Sequence, residues 1–176
     1  AGQNTMDITG GTINGNISSG ASALTIDGDA VINGTLDTSK SNKATLNSVS
    51  ASSSMVIAEG SKFVNDISDV IGSGVEFSDP SLVKFAVKLT DGTVVYQYAA
   101  DDSAYAAKIG DFYFTTLQIA LGNVAAGETL DLLADIDDGL VIDADKNFKL
   151  NLNGYKITAT TANTYALTNY GTLEVI

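Results

Sequence analysis

Two neighbouring stretches decide the fold: Ile8-Thr9-Gly10-Gly11-Thr12-Ile13-Asn14-Gly15-Asn16-Ile17 and Ile26-Asp27-Gly28-Asp29-Ala30-Val31-Ile32-Asn33-Gly34-Thr35-Leu36. Each carries three aliphatics, Ile8, Ile13 and Ile17 in one, Ile26, Ile32 and Leu36 in the other, with Gly and Asn between them. The second stretch follows the first by 18 residues (26 minus 8), close to the roughly 20-residue lower period of stacked repeats. A third copy reads Ile57, Phe63 and Ile67, with Gly60 between its first two positions. The interval before it leaves room for one more turn through Ala44-Thr45-Leu46 and Val49. Short strands that turn on Gly and Asn, residues tolerant of φ > 0, make a coil with one aliphatic row facing inward. One coil cannot bury that row alone; the coils above and below it do.

Further along, the pattern changes twice. Val83, Phe85, Val87 and Leu89 alternate with Lys84, Ala86 and Lys88, and Val94, Val95, Tyr96 and Tyr98 follow Asp91-Gly92. Alternation on both sides of Asp-Gly predicts a β-hairpin with a type I′ turn. Residues 111–124 hold the one predicted helix, capped by Thr115 or Thr116, with Leu117, Ala120 and Leu121 on one face and Gly122-Asn123 at its end. From Leu130 the coil pattern resumes. Leu132, Leu152 and Leu173 recur at intervals of 20 and 21 residues, beside Asn151, Asn153 and Asn169, which could stack as hydrogen-bonded ladders. The expected organisation is therefore N-terminal β-solenoid coils over residues 1–74, a hairpin and linker over 75–110, and helix-capped coils over 111–176.

Composition narrows the chemistry. The 176 residues are rich in Val, Ile, Leu, Thr, Ser, Asn and Gly, and hold one proline, no Cys, no His and nine basic residues, all Lys. Without Cys there is neither a disulfide framework nor a thiolate metal site. Without His the commonest general base is missing, and without Arg so is the bidentate anion clamp. A net charge of −12 argues against nucleic acid as a partner, because phosphate binding needs clustered cations. No stretch approaches the length of a membrane-spanning helix, so membrane insertion is not expected.

The run Ala107-Lys108-Ile109-Gly110-Asp111, Phe114-Thr115-Thr116-Leu117, Gly127-Glu128-Thr129-Leu130-Asp131-Leu132-Leu133 and Lys146-Asn147-Phe148-Lys149-Leu150-Asn151-Leu152-Asn153-Gly154-Tyr155-Lys156-Ile157-Thr158 resembles a recurring module of bacterial surface and adhesin-type proteins. Those proteins carry pectate-lyase-like right-handed parallel β-helices. The resemblance covers residues 105–176, extends more loosely over 5–70, and implies an all-β, right-handed parallel β-helix in two parts. For function it implies a structural or adhesive protein outside the cell or on its surface. It also admits a piece of a larger adhesin that binds a host or carbohydrate ligand, with other surface proteins or glycans as partners.

Such helices also host lyases and hydrolases, so catalysis must be argued from a site. Hydrolases need two carboxylates across a cleft, and Asp101-Asp102 and Asp137-Asp138 are the obvious pairs. Solvated loop charge accounts for both, and no enzyme activity is expected. Asp135, Asp137, Asp138, Asp143 and Asp145 are crowded enough to be calcium candidates, since calcium takes six to eight oxygens. They show neither EF-hand nor nonapeptide spacing, and surface acidity is the plainer reading. No cofactor is otherwise expected. Tyr105, Phe112, Tyr113, Phe114, Tyr155, Tyr165 and Tyr170 could form a sugar-stacking face, though packing accounts for them as well.

The remaining expectation concerns the coil ends. The first coil begins at Met6-Asp7-Ile8 and the last runs through Leu173-Glu174-Val175-Ile176, so both are expected to present open apolar faces. Ile8, Ile13, Leu173, Val175 and Ile176 are the predicted interface of a head-to-tail homopolymer, a filament or surface layer.

Overall fold

Aliphatics spaced a coil apart fold as the spacing requires, into parallel ladders. The computed structural model describes residues 4–20, 23–137, 139–160 and 165–176. It is nearly all β, a β-solenoid with one short helix among the described residues. The chain divides into two units, residues 1–86 with 93–101, and residues 87–92 with 102–176.

In the first unit the coils are built from β1 (Thr5–Ile8), β2 (Thr12–Asn14), β3 (Ile17–Ser18), β4 (Ala23–Ile26), β5 (Val31–Asp37), β6 (Ala44–Leu46), β7 (Ser54–Ile57), β8 (Lys62–Phe63) and β9 (Val75–Phe77). One parallel sheet runs β1-β4-β6 and another β2-β5-β7-β9, with β3 also on β5. Ile8 stacks on Ile26, Ile13 on Ile32 and Ile17 on Leu36, as the repeat predicts. Ala44-Thr45-Leu46 is the anticipated extra coil, in register with Leu24-Thr25-Ile26. The third copy, however, enters in a different phase. Ile57 continues the row of Leu36 and leads to Phe77, while Leu46 continues the row of Ile26. Three aliphatics at similar gaps mark a coil without marking which of its sides comes first.

Ile26, Ile32, Leu36, Leu46, Ile57 and Phe63 are sealed in the core of this unit. Corners are tied by hydroxyls one coil away. Ser53 Oγ accepts from Ile32 N at 3.1 Å and Ser61 Oγ accepts from Thr38 N at 3.2 Å, so backbone donors at the bends stay satisfied where they are buried. Gly34 is required by close approach: a Cβ there would lie 2.3 Å from the carbonyl oxygen of Gly15 on the coil beside it.

The hairpin forms from β10 (Val83–Lys88) and β11 (Val94–Ala99), and β11 runs antiparallel to β8, Tyr96 opposite Phe63. Its turn is not type I′, which needs φ > 0 at both central residues. Gly92 has φ 84° but Asp91 does not have a positive φ, and Gly92 N donates to the Leu89 carbonyl at 3.0 Å. The turn therefore spans Leu89–Gly92 with the left-handed residue last, the longer of the common hairpin connections.

The second unit holds β12 (Ala107–Ile109) and β13 (Phe112–Phe114), an antiparallel pair just ahead of the predicted helix cap. The helix α1 (Leu117–Asn123) follows within the predicted stretch 111–124, whose first residues, Phe112-Tyr113-Phe114, belong to the sheet. Thr116 caps it, its side chain accepting from Ile119 N, while Gly122 stays helical and Val124 is the C-cap. Leu117, Ala120 and Leu121 are buried, as their shared face predicts. Then follow β14 (Thr129–Leu132), β15 (Leu140–Ile142), β16 (Asn147–Asn151), β17 (Leu167–Asn169) and β18 (Thr172–Val175). β14, β16 and β18 stack in parallel, as do β15 and β17, and Ile136 bridges Ile157.

The register here corrects the leucine spacing read from sequence. Leu130 pairs with Leu150 and Leu150 with Val175, steps of 20 (150 minus 130) and 25 (175 minus 150) residues. Leu173 lies on Phe148, not on the row of Leu152. The longer path between β16 and β17 absorbs the extra residues. Asn151, Asn153 and Asn169 do not stack on one another. They bond instead to Asp131 Oδ1, to the Leu132 carbonyl and, from Asn169 Oδ1, to Gly171 N.

Candidate functional site

The coils expose two kinds of feature, charged corners and strand edges that are unpaired among the described residues. At the corner after β4, Asp27 accepts from Ser48 Oγ at 2.8 Å, from Asn47 Nδ2 at 3.2 Å and from Gly28 N at 2.7 Å. Those donors hold its carboxyl below the usual carboxylate range, the Ser48 bond first among them. Below β6, Asp66 pairs with Lys84, accepts from Ser68 and meets the Tyr98 hydroxyl. The Lys84 ammonium and then Ser68 hold its carboxyl well below 3.8, while burial pushes the Tyr98 hydroxyl up to about 12. Both groups serve the fold, because every oxygen named is committed to a neighbouring coil or strand.

The sequence-nominated carboxylates are spread out. Asp135 accepts from Lys156 N at 3.0 Å and pairs with Lys156 Nζ at 3.6 Å, bracing the corner of the next coil. Asp143 and Asp145 line a shallow cleft with Gln118, Leu121 and Lys146. Asp137 is exposed, and Asp138 lies outside the described residues. Among the described residues no three acidic side chains gather closely enough to hold a metal ion. Asp101 and Asp102 are exposed in a turn, where the Asp102 carbonyl accepts from Tyr105 N. The aromatic set divides too. Tyr105 and Phe114 are buried, with Tyr105 5.1 Å from Tyr113, whereas Phe112, Tyr155, Tyr165 and Tyr170 are exposed.

The strand edges are the more specific feature. β1 and β2 end their sheets in the first unit, and β17 and β18 end theirs in the second. Backbone direction follows from the ladder, since in a parallel strand alternate residues turn both N–H and C=O to the same side. Thr172 N donates to the Lys146 carbonyl and Ile176 N to the Leu150 carbonyl, so Leu173 and Val175 turn their backbone groups outward. Gly15 N bonds to Asn33 O and Val31 N to Gly11 O, so Thr12 and Asn14 turn theirs outward. Likewise, Tyr170 N and the Ala166 carbonyl bond to β15, leaving Leu167 and Asn169 outward. The Asn4 and Ile8 carbonyls bond to β4, leaving Thr5 and Asp7 outward.

Inward rows thin out at the same edges. Ile26 and Leu46 are fully buried, and Ile8 in that row is 6% exposed, but its strand neighbour Met6 is 51% exposed. Ile13 is half-buried against Ile32. On the other side Leu150 is fully buried, whereas Val175 in its row is 48% exposed and Leu173 half-buried. Ile176 is exposed, its N–H on the Leu150 carbonyl. The five nominated residues thus occupy two edges, Ile8 and Ile13 on one and Leu173, Val175 and Ile176 on the other.

Sequence reading missed the polar rows that run outside these aliphatics. Asn33 Nδ2 donates to Asn14 Oδ1 at 2.8 Å, and Asn33 Oδ1 accepts from Ser54 N and Oγ at 3.1 Å each. The signal was present as Asn14, Asn33 and Ser54 at intervals of 19 and 21 residues, one coil each. Compared with known protein families, curated proteins and solved structures, the chain matches none of them.

Proposed function

We propose that this chain is a structural protein whose copies stack head to tail through their coil edges, outside the cell or on its surface. The observation that supports it is that two strand edges have no partner strand among the described residues, each with outward-turned backbone groups and a partly exposed aliphatic row. An unpaired, apolar edge strand is a template for another strand. Contact between two different edges is heterologous, so it propagates into a filament unless its rotation closes a ring. The acidic, Cys-free composition accords with work outside the cell, and the charge of −12 per copy opposes the contact less as salt rises.

Electron microscopy with light scattering tests the reading. Purified chain should grow in mass with concentration and salt into elongated particles. Ile8→Asp with Ile13→Asp should stop growth from one edge, and Val175→Asp from the other, because each leaves a carboxylate in an apolar joint. A wild-type mass that stays monomeric at high concentration and moderate salt overturns it.

A further inference from the structure

Resting on that stacking, we infer that the joint has one register, with Leu173 of one copy on Ile13 of the next and the Glu174 carboxylate accepting a hydrogen bond from the Asn14 side-chain amide. Backbone parity supplies the first argument. A parallel partner for the outward-turned Leu173 needs the residues on either side of its opposite number to turn outward too. Thr12 and Asn14 do so, which places Ile13 opposite Leu173. A slip of one residue would face Leu173 with inward-bonded groups and turn the aliphatic row out.

The neighbouring strands fit at the same time. With Leu173 on Ile13, Asn169 of β17 falls on Ile8 of β1, and Leu167 falls on Met6. The outward groups of Leu167 and Asn169 then meet those of Thr5 and Asp7. The corner is four residues long on one side (173 minus 169) and five on the other (13 minus 8). That mismatch is smaller than one the chain already accepts: Ile142 to Phe148, a step of six, stacks on Asn169 to Leu173, a step of four.

Side chains then choose among the registers that parity allows. Lys149 Nζ meets Glu174 Oε2 at 3.0 Å, which leaves Oε1 to accept elsewhere. Asn14 commits Oδ1 to Asn33, which leaves its Nδ2 donors. With Glu174 opposite Asn14, one polar row runs from Lys149 through Glu174, Asn14 and Asn33 to Ser54, every acceptor facing a donor. Slips of two residues instead set Glu174 against Thr12 or Asn16; Asn16 bonds through its amide oxygen to the backbone N–H of Thr35 at 2.9 Å and not to a side chain, so from there the row does not run on to Asn33 and Ser54.

The absence of cysteine in the chain makes disulfide mapping clean. A variant carrying Glu174→Cys is mixed in turn with variants carrying Asn14→Cys, Thr12→Cys or Asn16→Cys, and cross-linked dimer is read on non-reducing gels under mild oxidation. Each variant is first checked for the wild-type circular dichroism spectrum. Dimer should form fastest with Asn14→Cys, whose Cβ would face that of position 174 directly across the joint. A second measurement uses charge. Asn14→Asp, which faces Glu174 with a like charge, should slow assembly roughly two- to fivefold at low salt. Glu174→Gln in the same chain should restore the rate. Wild type that assembles, with Thr12→Cys or Asn16→Cys cross-linking as fast as Asn14→Cys and Asn14→Asp without effect, overturns the register and leaves stacking intact. Wild type that does not assemble overturns both.

Discussion

The two units solve one problem with different regularity. In the first, successive coils advance by 18 residues from Ile8 to Ile26, by 20 from Ile26 to Leu46 and by 21 from Leu36 to Ile57 (26 minus 8, 46 minus 26, 57 minus 36). In the second the advance is 20 and then 25, and the unit begins with an antiparallel pair and a helix. Near-constant advance lets corners stack on corners, so hydroxyls such as Ser53 and Ser61 reach the coil before them. Where the advance jumps to 25, Asn169 binds locally to Gly171, while the exposed Lys149–Glu174 pair still spans the step. Regularity therefore favours hydrogen bonds between buried corners, and irregularity favours turns that bind within themselves.

The largest expected break in that comparison is Gly34→Ala. The added Cβ meets a backbone carbonyl that cannot swing away, in the regular unit's most crowded stack. Denaturant unfolding followed by hydrogen exchange should show the first unit losing several-fold more protection than the second. Equal loss in both would mean that the units unfold as one. Next in size is Leu150→Ala, which removes a fully buried side chain from the middle of the second unit and should cost about 2–5 kcal/mol. Val175→Ala changes the same row at its exposed edge and should cost less than about 1 kcal/mol in the isolated chain. If the two substitutions cost alike, the edge is better covered than its exposure indicates.

How much of this could be read from the residues follows from the same contrast. Ile8, Ile13 and Ile17 named their partners correctly because each coil lies one period away and the pattern is purely aliphatic. Leu173 did not, because the path between β16 and β17 is longer and a constant interval points to the wrong leucine. Phe112-Tyr113-Phe114 read as the approach to a helix, since periodicity over so few residues cannot tell a strand from a helix. The edge residues were legible as aliphatics at the ends of the pattern. The row of Asn14, Asn33 and Ser54 was not, because polar residues outside a coil have no hydrophobic period to announce them. Their partners become visible only once the register is fixed.

A smaller effect separates the units by the helix, which among the described residues lies in the second. Thr116→Ala removes the hydroxyl that accepts from Ile119 N, at a cost of about 1 kcal/mol. Seven residues are too few to hold a helix without packing, so the loss should appear as faster exchange at residues 117–123. The ladder of β14 and β16 should be unchanged. Loosening of that ladder would show that the helix supports the coils rather than resting on them.

The smallest effect is a pH dependence confined to the first unit. Asp66 is paired with Lys84 and bonded by Ser68, so its folded carboxyl ionises below its unfolded value of 3.8. The unfolded chain therefore binds more protons as the solution is acidified, and stability falls with pH. The contribution is complete above about pH 5. It declines as pH passes through 3.8 toward the lower folded value, and is gone once the folded carboxyl is protonated. The pair is more than a third exposed on both sides, which keeps its worth to that of a surface ion pair, about 0–1 kcal/mol after solvent screening. Asp66→Asn should lower the midpoint of chemical unfolding slightly at pH 7 and by a smaller amount at pH 2, narrowing the difference between the two. Salt should reproduce part of the change at pH 7, because the Lys84 partner is exposed, but not the part that comes from the Ser68 bonds. An Asp66→Asn chain with the same loss at both pH values would assign the effect to packing around Tyr98 instead of to charge.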